Sequence, residues 1–349
     1  MYIKLNNKQI DFTTANWSEL KKLNNSSQWW IDIIDFLLQF TNKSPNIELY
    51  TSGSSGTPKV ISVKKTQMIA SAKMTCKFFN LSNNSTGLLC LPAKYIAGKM
   101  MIVRAIVSKM NLICVEPSKN PIKYLTQKVD FTAITPYQAD EILKTIDKLT
   151  LIKNIIIGGG KTPKLLINKL NKLPINIYET FGMTETLSHI ALKQIAPKTQ
   201  KQFTTLDDIE IEQGENNELI INANSLGVDK LVTTDVVELI SNKEFIWKGR
   251  LDFIINSGGV KINPESIEAE IFAIIPNKFC IIGIPDVKLG EKVALVIESN
   301  PFDTSHLKKQ LKSILHSYRQ PKEIVFHAQF PLTQSGKIRI GVLKNILGF

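Results

Sequence analysis

The chain has no uninterrupted apolar run of the roughly 18 residues that a membrane span requires. Its most hydrophobic stretch, residues 99–110, carries Arg104 and Lys109, so no span is expected. The amino terminus, Met1-Tyr2-Ile3-Lys4-Leu5-Asn6-Asn7, lacks the basic start and apolar run of a secretory leader. Cysteine is scarce. Cys76, Cys90, Cys114 and Cys280 lie far apart, with no CxxC pair and no histidine cluster, so neither a disulfide framework nor a zinc site is indicated. Proline and glycine number only 15 and 18 in 349 residues, and 43% of the chain is hydrophobic. That balance excludes disordered and collagen-like classes. The expected location is the cytoplasm.

What is present is a surplus of positive charge, a formal +12. A basic surface can hold phosphate backbones nonspecifically. Here, however, the lysines are scattered among Asn, Ile and Glu, without the aromatic-and-basic interleaving of a single-strand binder. The expectation is a solvated surface suited to small anions, with no nucleic-acid partner.

At 349 residues the chain exceeds one ordinary core, which predicts two domains. From residue 58 onward short β-branched runs (60–63, 87–91, 112–115, 131–134, 155–157, 175–178) alternate with helical patterns (66–79, 96–110, 136–149, 163–173). Such alternation predicts an α/β fold with a mostly parallel, helix-covered sheet. Ligands in such folds sit beyond the carboxyl ends of the strands. Short strands at 208–213, 218–222, 230–233, 236–240 and 245–247 then predict a β-rich subdomain over about 203–248. The large domain is expected over 1–250. A smaller α+β domain follows over 251–349, with the boundary near Leu251-Asp252.

The most informative stretch is Tyr50-Thr51-Ser52-Gly53-Ser54-Ser55-Gly56-Thr57-Pro58-Lys59. Its glycines let successive N–H groups turn inward around an anion, its hydroxyls can donate to phosphate oxygens, and Lys59 adds a positive charge. It is not a Walker loop: counting from Gly53, Pro58 stands where the second glycine should be. Gly158-Gly159-Gly160-Lys161-Thr162 imitates the end of that motif, but Ile155 occupies its first glycine position. The three glycines still allow the backbone to lie against a flat ligand, or form a plain strand-to-helix turn.

Taken together, residues 51–59 resemble the phosphate-binding loop of the acyl-adenylate-forming enzymes. Tyr178-Glu179-Thr180-Phe181-Gly182-Met183-Thr184-Glu185-Thr186 is similar to the second signature of that family. Thr234-Asp235, Gly249-Arg250-Leu251-Asp252, residues 256–268 and Pro331-Leu332-Thr333-Gln334-Ser335-Gly336-Lys337 follow in the family's order. The resemblance implies the adenylate-forming fold, here shortened at its amino end. It also implies ATP, Mg²⁺ and coenzyme A as reactants and cofactor, with a small carboxylic acid as substrate. Residues 51–59 would hold the β- and γ-phosphates, Thr184 the α-phosphate and Glu185 the Mg²⁺. Adenine would lie near Gly158, Gly159, Gly160 and residues 178–182, the ribose on Asp235 and Arg250. Lys337 would reach the α-phosphate and the attacking carboxylate. Asp252 would be the hinge of a mobile small domain, and Gly258 and Gly259 would line the pantetheine tunnel. Read locally, Thr184 is equally a helix-capping residue and Glu185 a solvated acid.

Three features narrow the acid. The phosphate loop begins unusually early for the family, and Gly182-Met183-Thr184-Glu185-Thr186-Leu187-Ser188 keeps a serine after the signature. Both resemble the o-succinylbenzoate–CoA ligases of menaquinone synthesis. Third, Leu91-Pro92-Ala93-Lys94-Tyr95-Ile96-Ala97-Gly98 has Tyr95 where many relatives carry histidine, with Lys94, Lys99 and Arg104 as cations nearby. A dicarboxylate would need one such cation. Tyr95, Lys94, Lys99 and Ser188 are therefore the expected acyl-pocket residues. Another aryl- or acyl-CoA ligase, a carrier-loading adenylation enzyme, or a non-catalytic nucleotide-binding relative are the other readings.

Overall fold

In the computed structural model, which describes residues 1–5, 8–23, 27–50, 60–332 and 338–349, the β-branched runs of the first half join one sheet, except 60–63, which pairs apart in a two-stranded ribbon. A hairpin of β1 (Tyr2–Leu5) and β2 (Lys8–Asp11) forms its edge. Helices α1 (Trp17–Leu23) and α2 (Gln28–Thr41) follow. β3 (Asn46–Tyr50) and β4 (Val60–Lys64) pair antiparallel with Tyr50 opposite Val60. The expected phosphate loop, residues 51–59, connects these two strands and lies outside the described residues.

Beyond α3 (Lys65–Phe78) the α/β alternation sets in. β5 (Thr86–Leu89), α4 (Ile96–Ser108), β6 (Asn111–Cys114) and β7 (Val129–Ile134) come first. Then come α5 (Pro136–Ile142), α6 (Ile146–Leu149), β8 (Ile152–Ile157), α7 (Lys164–Leu170) and β9 (Asn176–Gly182). β1, β6, β5, β7, β8 and β9 are successive parallel neighbours. β8 shows why the run is not alternating: Ile155 and Ile157 enter one core and Ile156 the other. A strand covered on both faces needs apolar residues throughout. Pro136 starts α5, and Thr135 accepts the Gln138 N–H as its cap. The helix expected over 136–149 is interrupted at Leu143–Thr145, where the Thr145 hydroxyl donates to the Ile142 carbonyl.

After β9 the sheet turns antiparallel without ending. β10 (His189–Ala196), β11 (Phe203–Thr205), β12 (Glu210–Gln213), β13 (Glu218–Ala223), β14 (Val228–Ser241) and β15 (Glu244–Arg250) extend it to thirteen strands. The β-rich residues are thus a continuation of the same sheet. Two strands expected at 230–233 and 236–240 are one, β14, whose pairing with β15 shifts register between Val236 and Val237. Burial alternates through Thr233, Asp235 and Val237, and the polar residues at two of these buried positions hide the continuity in sequence.

A second, five-stranded sheet carries β16 (Ile255–Ser257), β17 (Val260–Ile262), β18 (Phe279–Asp286), β19 (Gly290–Glu298) and β20 (Glu323–His327). Its own core packs Ile267 and Ile271 of α8 (Pro264–Ile271) against Ile281 and Leu295.

Candidate active site

Three loops with signature residues leave the carboxyl ends of parallel strands: residues 90–95 after β5, 158–162 after β8, and 183–188 after β9. The last stands where the sheet changes from parallel to antiparallel, with Gly182 paired to His189. A side chain at Gly182 would strike the Ser188 carbonyl, so only glycine closes this turn. Buried Thr186 holds it from inside, accepting the Met183 N–H at 3.1 Å and lying 2.9 Å from the Ser188 carbonyl oxygen. Thr184 is left half-buried and Glu185 exposed. No helix begins here, so Thr184 caps none. Glu185 makes no hydrogen bond or ion pair with any of the described residues.

The residues expected around the nucleotide lie on neighbouring strands. Glu179 pairs with Ile157, which starts the Gly158-Gly159-Gly160 turn beside Thr180, the neighbour of Gly158, whose hydroxyl donates to the Ile157 carbonyl at 3.1 Å. Tyr178 packs edge-on against Phe78 and Phe79, and Phe181 lies against Phe203 and Phe245. Glu179 is not open to a ligand. Its carboxylate accepts the Thr162 N–H at 2.7 Å and the Lys193 ammonium at 2.6 Å, tying the glycine turn to the sheet. Asp235 and Arg250 are direct cross-strand partners. Trp247 Nε1 donates to Asp235 Oδ1 at 2.7 Å, while Arg250 Nη2 reaches Thr234 at 2.7 Å and Asp252 at 2.6 Å. Trp247, Thr162 and Lys193 were invisible to motif reading because their roles depend on strand pairing.

The cations of the acyl segment separate. Lys94 is exposed and Tyr95 half-buried at the head of α4. Buried Lys99 turns toward α2, its Nζ 5.6 Å from the Phe36 ring centre. Burial pulls its pKa down, with Asp32 opposing. Arg104, five positions on, occupies a different face of α4. It is 1% exposed, donates to Ser188 Oγ at 2.7 Å and to His189 Nδ1 at 3.5 Å, and has Phe131 beside it. Its Nε has no partner, and no carboxylate among the described residues meets it. Burial pushes the guanidinium down to about 10, which leaves it charged at neutral pH.

Residues 10–211, more than half of the chain, match the AMP-binding enzyme family. The chain belongs to that family. The crystal structure of an acyl-CoA synthetase (AMP-forming)/AMP-acid ligase II-like protein from Dyadobacter fermentans is 33% identical, with a TM-score of 0.61 over 94% of this chain and 98% of that one. A 2-succinylbenzoate–CoA ligase of Listeria monocytogenes is 26% identical over 85% of this chain and 69% of its own length. The o-succinylbenzoate–CoA synthetase of Bacillus subtilis, solved with ATP and magnesium, shares the fold at 18% identity, with a TM-score of 0.72 over 98% of this chain and 83% of that one.

The remaining expected residues of this AMP-binding enzyme lie past β15. Asp252 follows the last strand of the large sheet and bonds Arg250. Gly258 and Gly259, with φ of +59° and +82°, form the β16–β17 turn, a conformation open to glycine. That turn is exposed. α8 meets the nucleotide edge: Lys161 Nζ lies 3.7 Å from Glu265 and 4.9 Å from the Trp247 ring centre. Behind it, burial raises Glu268 to about 7 despite the Ile281 N–H it accepts. Lys337 lies outside the described residues.

Proposed function

We propose that the protein activates a dicarboxylic acid of the 2-succinylbenzoate type with ATP and passes the acyl group to coenzyme A. The observation that carries the choice of acid is Arg104. An unpaired buried cation costs several kcal/mol, and here its bonding partners among the described residues are neutral. A second carboxylate on the substrate supplies the missing charge and a bidentate acceptor. The names of the relatives from Listeria and Bacillus point to the same acid.

In the first half-reaction a carboxylate oxygen attacks the α-phosphorus, the bond to the β-phosphate oxygen breaks, and pyrophosphate leaves. Residues 51–59 hold the leaving phosphates and Thr184 donates to the α-phosphate. Lys337 bridges the two anions that must approach, stabilising charge as it develops. Glu185 fits a Mg²⁺ site, being an exposed carboxylate without a partner among the described residues. Such an ion, held by Glu185, would neutralise polyphosphate charge. In the second half-reaction the CoA sulfur attacks the acyl carbon, AMP departs, and the thiol proton is lost to solvent.

The two steps need different access, and we assign residues 251–349 as a unit that turns about Asp252. The Arg250–Asp252 pair that would have to yield is about two-fifths exposed on each side, so its loss costs under about 1 kcal/mol. After rotation the Gly258–Gly259 turn lines the pantetheine path. No described helix is long and apolar enough to cross a membrane, and we place the reaction in the cytoplasm.

The test is a panel of carboxylic acids with ATP and Mg²⁺, with the products identified by mass spectrometry in the presence of CoA or a phosphopantetheinyl carrier. 2-Succinylbenzoyl-CoA as the dominant product supports the reading. Acylation of the carrier but not of CoA moves the protein to the carrier-loading class. ATP binding without turnover on any acid would leave only a non-catalytic role.

A further inference from the structure

Arg104 is held by residues that belong to no signature. His189 is the first residue of β10, Thr75 lies in the last turn of α3, and both are buried. Arg104 can only donate, so His189 Nδ1 must accept at 3.5 Å and the imidazole proton resides on Nε2. Nε2 then donates to Thr75 Oγ1 at 3.2 Å, and the Thr75 hydroxyl donates to the Ser71 carbonyl at 3.3 Å. Every bond in this chain points away from the guanidinium and ends on the α3 backbone. On the other side Ser188 Oγ accepts from Arg104 at 2.7 Å and lies 3.4 Å from His189 Nδ1.

We infer that His189, backed by Thr75, is a positioning residue that aims Arg104 at the second carboxylate of the acyl substrate while leaving its charge unneutralised. The inference rests on the dicarboxylate reading above. Acidic residues could orient a guanidinium more tightly, but an aspartate or glutamate here would satisfy its charge and remove the need for a substrate anion. A neutral imidazole orients without neutralising. The groups facing it support that state. Burial and then the Arg104 charge hold the His189 pKa well below its ordinary range. The Cys76 thiol beside Arg104 is raised by burial and stays neutral.

The experiment measures pyrophosphate release by the full chain with 2-succinylbenzoate and with an analogue lacking the second carboxylate. It compares wild type, His189→Leu, His189→Asn, His189→Asp, Thr75→Val and Arg104→Met. A lost hydrogen bond to a charged group predicts a KM for the dicarboxylate about tenfold higher in His189→Leu. KM for ATP should hold within about twofold, and preference for the dicarboxylate should fall by the same factor. His189→Asn, which keeps an acceptor near the Nδ1 position, should restore most of the preference. His189→Asp should shift it toward the analogue. Equal losses with both acids, or an unchanged preference in His189→Leu and Thr75→Val, overturn the positioning role. If His189→Leu does not fold, His189→Asn, His189→Asp and Thr75→Val decide. A preference abolished by Arg104→Met but untouched by the His189 and Thr75 variants defeats this inference alone. No preference in the wild type defeats the dicarboxylate reading as well.

Discussion

The two sides of the site handle charge in opposite ways. On the nucleotide side the main charged groups have protein partners: Glu179 with Lys193, Arg250 with Asp252, Asp235 with Trp247, Lys161 with Glu265. On the acyl side Arg104 is more deeply buried than any of these, yet among the described residues only neutral groups bond to it. Glu185 apart, the described charged groups of the first side are held by the protein itself. Under the proposed function the second is balanced only when the substrate's anion arrives, and stability is given up for selectivity.

Four substitutions break or sharpen that contrast. The largest effect belongs to neither side: Lys337→Ala should slow adenylate formation about 10³-fold. Thioester formation from supplied acyl-adenylate should be spared, and assaying the half-reactions separately checks this; equal loss in both would contradict the role given to the lysine. Next, Lys193→Met strands Glu179, which is 5% exposed. With Lys193 itself partly solvated, the expected destabilisation is about 2 kcal/mol, read from a urea titration. On the other side the sign reverses. Arg104→Met removes a lone buried cation and should raise stability by about 1 kcal/mol in the same titration, at the expense of activity.

The smallest effect concerns Glu268, whose folded pKa of about 7 lies above the ordinary 4.5. The native form retains a proton that the unfolded chain has already lost. Its contribution is therefore complete below about 4.5 and disappears as pH rises through about 7. Glu268→Gln should accordingly gain on the order of 3 °C in Tm over wild type between pH 5 and pH 8. Parallel thermal curves for the two proteins at both pH values would exclude a raised pKa.

The contrast also explains what the sequence reveals. The isoleucine run of β8 and the Pro136 helix start are local patterns, read directly from neighbouring residues. The placing of Asp235 opposite Arg250 follows from one hairpin and is nearly as legible. The acyl side is not, because its contacts span long separations: Arg104 to Ser188 covers 84 positions, and Thr75 to His189 covers 114. Lys94, Lys99 and Arg104 look equivalent in sequence, but helix rotation and the packing of α2 send one to solvent, one to Phe36 and one to the signature turn. The amino-terminal hairpin that extends the sheet edge carries no motif at all.

The most direct test of the account is the ratio of kcat/KM for 2-succinylbenzoate to that for its analogue without the second carboxylate, measured in wild type and in Arg104→Met. The account predicts a wild-type ratio of about 10² that collapses toward unity in the variant, as expected when a buried charge pair is removed. A ratio that is large and identical in both proteins would show that Arg104 does not read the acid.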